Sequence, residues 1–190
     1  MLFNLWKKLE KKKKYLSNTK ETLDYMHFTN REIYLTSISF SEVEELNATI
    51  RLWNIEDMKK GLTQSQRKPI IIYINSHGCS LDYALAIADI IKLSRTPIYT
   101  VNICSTYKES MLIYLAGHKR YAYPSSTFML EPFTIIEDAD LNNHYMTIVK
   151  NLFLEKASIT ENQLDKYFKS KIYFTAKEAQ EVFICNEVIK

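Results

Sequence analysis

The stretch IIIYINSHGCSLDYALAIADIIKL, from Ile70 to Leu93, decides the fold. It begins with the apolar run IIIYI, which is typical of a strand buried in a parallel sheet. The turn NSHGCS follows, and then comes a helix that is apolar on most faces and is therefore expected to be buried. The next run, IYTVNIC, again has the composition of a strand. Strands that alternate with helices predict βαβ units and a mainly parallel sheet, so the fold class is α/β.

Upstream of this stretch, EIYL is predicted as a short strand, and ordered structure is expected to begin near Glu32. SEVEELNATIRLWNIEDMKK is predicted as an amphipathic helix with Ser41 as its N-cap. Its apolar residues recur at helical spacing: Val43, Leu46, Ile50 and Trp53. Residues 1–30 contain the basic run KKLEKKKK and are predicted to form a solvated arm or tail. A remnant of an organelle-targeting extension and an arm that contacts a partner are the alternatives.

Composition excludes several classes of function. The 190-residue chain carries a formal net charge of +3, which is too weak to indicate nucleic-acid binding. No apolar run reaches the ~20 residues that cross a membrane. The 3 cysteines have no CxxC spacing and the 4 histidines form no ligand pattern, so we expect free thiols and no metal site. Walker and GxGxxG motifs are absent, and no nucleotide or other cofactor is expected.

The stretch NICSTYKESMLIYLAGHKRYAYPSSTFMLEP, from Asn102 to Pro132, predicts a strand, a tight loop, a short apolar helix and two further strands. Enzymes use this layout to place a nucleophile at a helix N-terminus. The candidate position here holds Lys108, between Tyr107 and Glu109. After Pro132, FTIIEDADLNN is expected to be irregular or extended. HYMTIVKNLFLEKA and ITENQLDKYF are predicted as helices, and IYFTAKEAQEVFICNEVIK as strand, helix and strand.

Several blocks of the chain, in the same order, resemble the Clp protease proteolytic subunit family, ClpP. YINSHGCSLDYALAI is similar to the family's YINSPGGSVTAGLAI, and SMLIYLAG matches its ASMGAFLLAAG region in placement. KRYAYPSSTFML resembles KRYALPNSRIMI, and FTAKEAQEVFICNEVI resembles FLSAEEAKEYGLIDEVI. The resemblance spans Glu32 to Ile189. It implies a ClpP/crotonase-like fold of repeated β-β-α units: one domain at 31–190, with a head at 31–131, a protruding handle at 132–157 and a C-terminal part at 158–190.

Carried over by position, the family's catalytic serine falls on Lys108, its histidine on Glu131 and its aspartate on Lys171. The chain therefore resembles the triad-lacking ClpR paralogues, and most of all those of the apicomplexan plastid. Such a subunit is not expected to be an enzyme. A carboxylate beside a lysine favours the protonated ammonium, which is no nucleophile. The charges alternate in sign, so we hypothesise a Lys-Glu-Lys ion cluster in the former triad space; side chains turned to solvent are the alternative.

The resemblance also assigns the oxyanion-hole N–H donors to Cys79 and Glu109. A glutamate brings negative charge to a site that stabilises an anion, and this would oppose catalysis. Two other catalysts stay open as alternatives: Ser105 paired with Lys108, and Cys104 paired with His118. Cys104 is expected to pack as a small hydrophobe, His77 to lie on the surface, and Ser110 to face away from Lys108. A scaffold that never meets ClpP is a further alternative.

The resemblance implies a heptameric ring of this chain, alone or with active ClpP, inside the plastid (apicoplast) lumen. The handle sequence FTIIEDADLNN has no glycine, which speaks against stacking of two rings through it. A ClpC-type AAA+ unfoldase would dock in an apolar pocket. The matching positions alternate along three strands, so ordinary sheet packing explains them equally well: Ile71, Tyr73, Val101, Ile103, Tyr121 and Tyr123.

Overall fold

The computed structural model describes residues 19–132 and 139–190. Its helices and strands are α1 (Thr19–Asn30), β1 (Glu32–Leu35), α2 (Phe40–Lys59), β2 (Ile70–Ser76), α3 (Leu81–Lys92), β3 (Ile98–Tyr107), α4 (Ser110–Ala116), β4 (Lys119–Ala122), β5 (Thr127–Leu130), α5 (Ala139–Lys156), α6 (Glu161–Tyr167), β6 (Ile172–Thr175), α7 (Ala176–Glu181) and β7 (Glu187–Val188). A single 3₁₀ turn, Gln64–Gln66, precedes β2. The predicted α/β alternation is confirmed.

The described strands form one sheet in the order β1-β2-β3-β4-β7, and every pair along this path is parallel. The long strand β3 changes partner along its length. Ile98–Asn102 lies between β2 and β4, whereas Ser105–Tyr107 pairs with β5. Strand β6 then adds antiparallel to β5. A register shift in β3 accompanies this change of partner and bends the strand. The first half of β3 therefore belongs to the part of the sheet formed by β1, β2 and β4, and its second half belongs to the part formed by β5 and β6.

The core lies where α2, α3 and α4 cover this sheet. Leu46, Ile50 and Trp53 are buried on α2, as the helical spacing predicts. Strand β2 is buried at alternate positions, and α4 is buried along its whole length. A helix that is apolar on every side is stable only when protein surrounds it, so α4 sits at the centre of the molecule.

The prediction that order begins near Glu32 is wrong, because α1 precedes it. This helix buries none of its residues, so burial imposes no apolar pattern on its sequence by which it could be predicted. Its contacts with the rest of the chain include the packing of Phe28 on Trp53, with ring centroids 5.4 Å apart, and the approach of His27 Nδ1 to within 3.0 Å of Glu32 Oε2. Residues 1–18 of the predicted arm lie outside the described residues.

Helix ends also differ from the predictions at two places. Helix α2 begins at Phe40, so its N-cap is Ser39 rather than Ser41, and the backbone N–H of Ser39 donates to Glu42 Oε2 at 2.6 Å. Helix α6 begins with a capping box, in which Thr160 is the N-cap and Gln163 the reciprocal partner. Residues 133–138 of the predicted handle lie outside the described residues, but 139–143 belong to α5 and are not irregular.

Buried Arg120 joins the C-terminal part of the chain to the sheet. Its guanidinium donates to the carbonyl oxygens of Ile184 and Lys156 at 2.8 Å and of Phe183 at 2.9 Å. Burial lowers the pKa of Arg120. Carbonyl oxygens from the end of α5 and from the segment after α7 thus accept from one side chain of β4. The position of residues 156–184 therefore depends on Arg120.

Candidate functional site

The topology of the sheet gathers Lys108, Glu131 and Lys171 at one edge. Strands β3 and β5 are parallel neighbours that end together, and Lys108 and Glu131 are the residues that follow them. The antiparallel strand β6 begins beside the end of β5, with Ile172 opposite Leu130. Lys171 directly precedes β6 and therefore lies next to Glu131.

These three side chains form the hypothesised ion cluster. Lys108 Nζ lies 2.5 Å from Glu131 Oε1, and Lys171 Nζ lies 3.6 Å from Glu131 Oε2. The hydrogen bond from Lys108 is the main cause that lowers the pKa of Glu131, and the charges of both lysines add to it. The side chains of the lysines are 41% and 50% exposed, so the cluster is open to water.

The backbone at Lys108 has the form of a catalytic elbow. Lys108 has φ of 55°, in the left-handed region that residues other than glycine seldom adopt. Its N–H donates to Met129 O at 2.9 Å, and its own carbonyl accepts from Met111 N at 2.9 Å. A strained residue between a strand and a helix is how hydrolases expose a nucleophile. This geometry supports the alignment of Lys108 with the nucleophile position.

The carboxylate of Glu109 lies on the turn that contains Gly78 and Cys79. The N–H of Cys79 donates to Glu109 Oε2 at 3.4 Å. Gly78 has φ of 121°, and a Cβ there would lie only 2.8 Å from Glu109 Oε2, so the close approach requires glycine. Burial, with the Glu109 charge as a second cause, raises the pKa of Cys79 to about 12. The donor that the resemblance assigns to an oxyanion is thus occupied by a carboxylate of the same chain.

Aromatic residues form a wall beside the cluster, which the sequence analysis did not identify. Tyr107 stacks on exposed His77 with centroids 5.0 Å apart and meets Tyr173 edge-on at 6.0 Å. The Tyr107 hydroxyl lies 2.8 Å from Thr127 Oγ1. Interaction with the Tyr173 hydroxyl is the main cause that raises the pKa of Lys171, and Glu131 contributes as well. Only the pairing of β5 with β6 brings Tyr173 here, since it is distant in sequence.

The alternative catalysts are not assembled. Ser105 is buried, and its hydroxyl lies 3.7 Å from Cys104 Sγ rather than against Lys108. Ser110 is fully buried and donates to Ser76 O at 3.1 Å. It therefore braces the elbow and is shielded from substrate.

The Cys104–His118 pair is also not formed. His118 Nδ1 accepts from the N–H of Ile98 at the start of β3, and burial lowers its pKa. Cys104 lies six residues further along β3, about 20 Å away for an extended strand. The expectation that Cys104 packs as a small hydrophobe is wrong: it is exposed, because β3 changes partner at this point.

The predicted docking residues lie on one sheet face, which we call the aromatic face. In the strand register Tyr34, Tyr73, Val101 and Tyr121 form a row across β1 to β4. Tyr34 stacks on Tyr73 at 4.7 Å, and Tyr34 and Tyr123 are 48% and 42% exposed. The face comprises the six predicted positions and two that the prediction missed: Ile71, Tyr73, Val101, Ile103, Tyr121, Tyr123, Tyr34 and Tyr99.

In residues 19–132 and 139–190, no group of three or more His, Cys, Asp or Glu side chains could hold a metal ion. None of the helices in these ranges is both long enough and apolar enough to span a membrane.

The site combines an elbow after one parallel strand, a glycine turn whose backbone N–H faces it, and a side chain at the end of the neighbouring strand. This combination is typical of α/β proteins of the serine-peptidase-like class. The model of the family described as Clp protease matches residues 61–190. The chain belongs to the Clp protease family.

Curated relatives agree with this assignment. The chain is 30% identical over 182 residues to the chloroplastic ATP-dependent Clp protease proteolytic subunit-related protein 4 of Arabidopsis thaliana, an alignment that covers 85% of this chain and 57% of that protein. It therefore spans little more than half the length of that relative. It is 24% identical to the ATP-dependent Clp protease proteolytic subunit 2 of Treponema denticola, over 98% of this chain and 96% of that one.

Solved structures show the same fold. The ClpP protease catalytic domain from Plasmodium falciparum superimposes with a TM-score of 0.77 at 23% identity, covering 93% of this chain and 94% of that one. ClpP1 from Listeria monocytogenes gives a TM-score of 0.76 at 21% identity, covering 88% and 96%. At these identities the likeness establishes the ClpP-like α/β fold alone.

Proposed function

We propose that this chain is a non-catalytic subunit of a Clp protease assembly, with a structural or regulatory role. The observation that carries the proposal is the contact of Lys108 and Lys171 with Glu131 at the elbow. A serine peptidase needs a neutral imidazole that takes the proton of the nucleophile. Here a lysine and a glutamate stand at those two positions, in contact with each other, so neither position offers an imidazole to take that proton.

The Glu109 contact supports the same proposal independently of the triad. An oxyanion hole works because its N–H donors face a developing negative charge. The Cys79 N–H instead faces a carboxylate that is already negative. A tetrahedral intermediate would have to displace this carboxylate and would then lie close to it. The site therefore opposes acyl transfer at two separate points.

The proposed assembly is a ring of seven subunits in the plastid (apicoplast) lumen, of this chain alone or with active ClpP. A ClpC-type AAA+ unfoldase would dock on the aromatic face. Two observations support this: the partly exposed tyrosines of that face, and the similarity to a relative that is named as chloroplastic.

Two measurements test the proposal. The chain, active ClpP and a mixture are purified, and each is assayed with a fluorogenic peptide and weighed intact by native mass spectrometry. We expect no hydrolysis by the chain alone and a ring mass that contains both subunits in the mixture. Hydrolysis that is lost in Ser105→Ala or Cys104→Ala would show an active peptidase instead. Absence of any mixed or self-assembled ring would favour a scaffold independent of ClpP.

A further inference from the structure

We infer that the aromatic face selects a partner segment that carries a lysine or arginine beside its apolar side chains, and that Glu32 recognises this cation. The inference rests on the proposed docking function of the same face. It concerns only which segment docks, and a peptide array distinguishes a failure of this selectivity from a failure of docking itself.

Glu32 is an acidic side chain set among the tyrosines. It begins β1, lies opposite Ile71 in the register and is two residues from Tyr34 on the same face. Its side chain is only 24% exposed. After burial, the charge of Glu32 is the next cause that raises the pKa of both Tyr34 and Tyr73. The carboxylate and the stacked phenols therefore share one electrostatic environment.

The carboxylate has only partial compensation within the chain. His27 Nδ1 contacts Glu32 Oε2 at 3.0 Å, and the His27 ring lies 4.7 Å from that of Tyr34. In the part of the chain that the structure describes, no lysine or arginine forms an ion pair with Glu32. A neutral apolar segment that covered this face would remove water from a carboxylate without giving it a cation, which costs free energy.

Two other charged residues, Lys119 and Glu187, border the face on the side of β4 and β7. Lys119 Nζ lies 5.5 Å from the Tyr99 ring, on the side of β4. Glu187 pairs with Tyr121 on the edge strand β7 and is exposed. Because charge pairs discriminate best where water is partly excluded, Glu32 should dominate the choice of partner and Glu187 should contribute less.

A peptide array tests the inference with the intact chain. Immobilised decapeptides carry two leucines at alternate positions, and every flanking position is occupied in turn by arginine, by the uncharged isostere citrulline, or by glutamate. Labelled wild-type chain is compared with Glu32→Gln, with Tyr73→Ala as a variant that disrupts the face, and with Glu44→Gln, which removes an exposed acid of α2 outside it.

Wild type and Glu44→Gln should prefer arginine over citrulline by about three- to tenfold at one or more positions. Glu32→Gln should bind both peptides equally, and Tyr73→Ala should weaken all binding. Equal binding of arginine and citrulline peptides by wild type would overturn the charge recognition and leave docking intact. Absence of binding to every peptide would overturn docking itself, and the selectivity with it.

Discussion

Placing a serine, a histidine and an aspartate at the positions that the resemblance assigns to the triad should not produce an active peptidase unless Glu109 is also changed. The perturbation is the triple variant Lys108→Ser, Glu131→His and Lys171→Asp, made with and without Glu109→Ala. The elbow backbone is already in the nucleophile conformation, with φ of 55° at position 108. What the triple variant still lacks is a free N–H at Cys79, because the Glu109 carboxylate accepts from it at 3.4 Å.

The size of the effect follows from two terms that act in the same direction. Loss of one oxyanion-hole donor costs about 10²–10³ in kcat. A carboxylate about 4 Å from the developing oxyanion adds a repulsion of roughly 4 kcal/mol at an effective dielectric of 20. The Glu109 side chain can rotate toward solvent at some cost in burial, which reduces the second term. We therefore expect removal of Glu109 to raise the hydrolytic rate of the triple variant by about 100-fold or more.

The assay is fluorogenic peptide hydrolysis together with covalent labelling by a fluorophosphonate, whose adduct places an oxygen in the oxyanion hole. The triple variant carrying Glu109→Gln distinguishes the effect of the Glu109 charge from that of the lost N–H donor, since the amide oxygen still accepts from Cys79 but carries no charge. Its hydrolytic rate should lie between those of the triple variant with Glu109 and the triple variant with Glu109→Ala. The parental chain with Lys108, purified in parallel, measures contaminating activity. Equal labelling and equal hydrolysis with and without Glu109 would refute the reasoning.

Three further predictions concern stability and reactivity. Glu131→Gln should lower the free energy of unfolding by less than ~1 kcal/mol at pH 7. Because the pKa of Glu131 is lowered in the folded state, its contribution to stability is complete above the ordinary glutamate pKa and is lost as the pH falls through the lowered value. Urea titrations at several pH values should therefore show the difference between the two proteins vanish at low pH. Arg120→Ala leaves four carbonyl oxygens without this donor and should lower the free energy of unfolding by about 3–5 kcal/mol in denaturant titrations. The neighbouring substitution Lys119→Ala should lower it by less than ~0.5 kcal/mol, and similar losses for the two variants would contradict the role assigned to Arg120. Iodoacetamide at pH 8 should modify exposed Cys104 and spare Cys79, because the pKa of Cys79 is raised to about 12. Peptide mass mapping would measure this, and early alkylation of Cys79 would show that the turn around it opens.

Much of the fold follows from periodicity. The continuous apolar run of β2 and the spacing of Leu46, Ile50 and Trp53 on α2 predict their buried positions because burial dictates these patterns. Helix α1 escaped prediction because it buries none of its residues. The exposure of Cys104 could not be foreseen either: it depends on where β3 leaves one pair of neighbours and joins another, which is a tertiary property.

The sequence predicts which residues of the candidate site lie close together, but it does not predict which hydrogen bonds they form. Positions at the ends of adjacent parallel strands must lie together, so Lys108 and Glu131 could be placed as neighbours from the order of the strands. The direction of the Glu109 side chain depends on the rotamer and on the gap left by Gly78, and no sequence pattern encodes either. The same applies to Tyr173, which reaches Tyr107 only through the antiparallel pairing of β6.

The geometry of the elbow explains how the catalytic side chains can be replaced while the fold persists. The left-handed conformation of Lys108 costs about 1–2 kcal/mol. The contacts that hold it use main-chain atoms of residue 108: its N–H donates to Met129 and its carbonyl accepts from Met111. The buried hydroxyl of Ser110 donates to the carbonyl of Ser76 and so ties the start of α4 to the end of β2. None of these bonds involves the side chain at 108, so packing of the sheet and α4 maintains the elbow whatever that side chain is. Under the proposed non-catalytic role, selection for assembly alone would preserve this backbone while its proton-transfer groups are replaced by fixed charges.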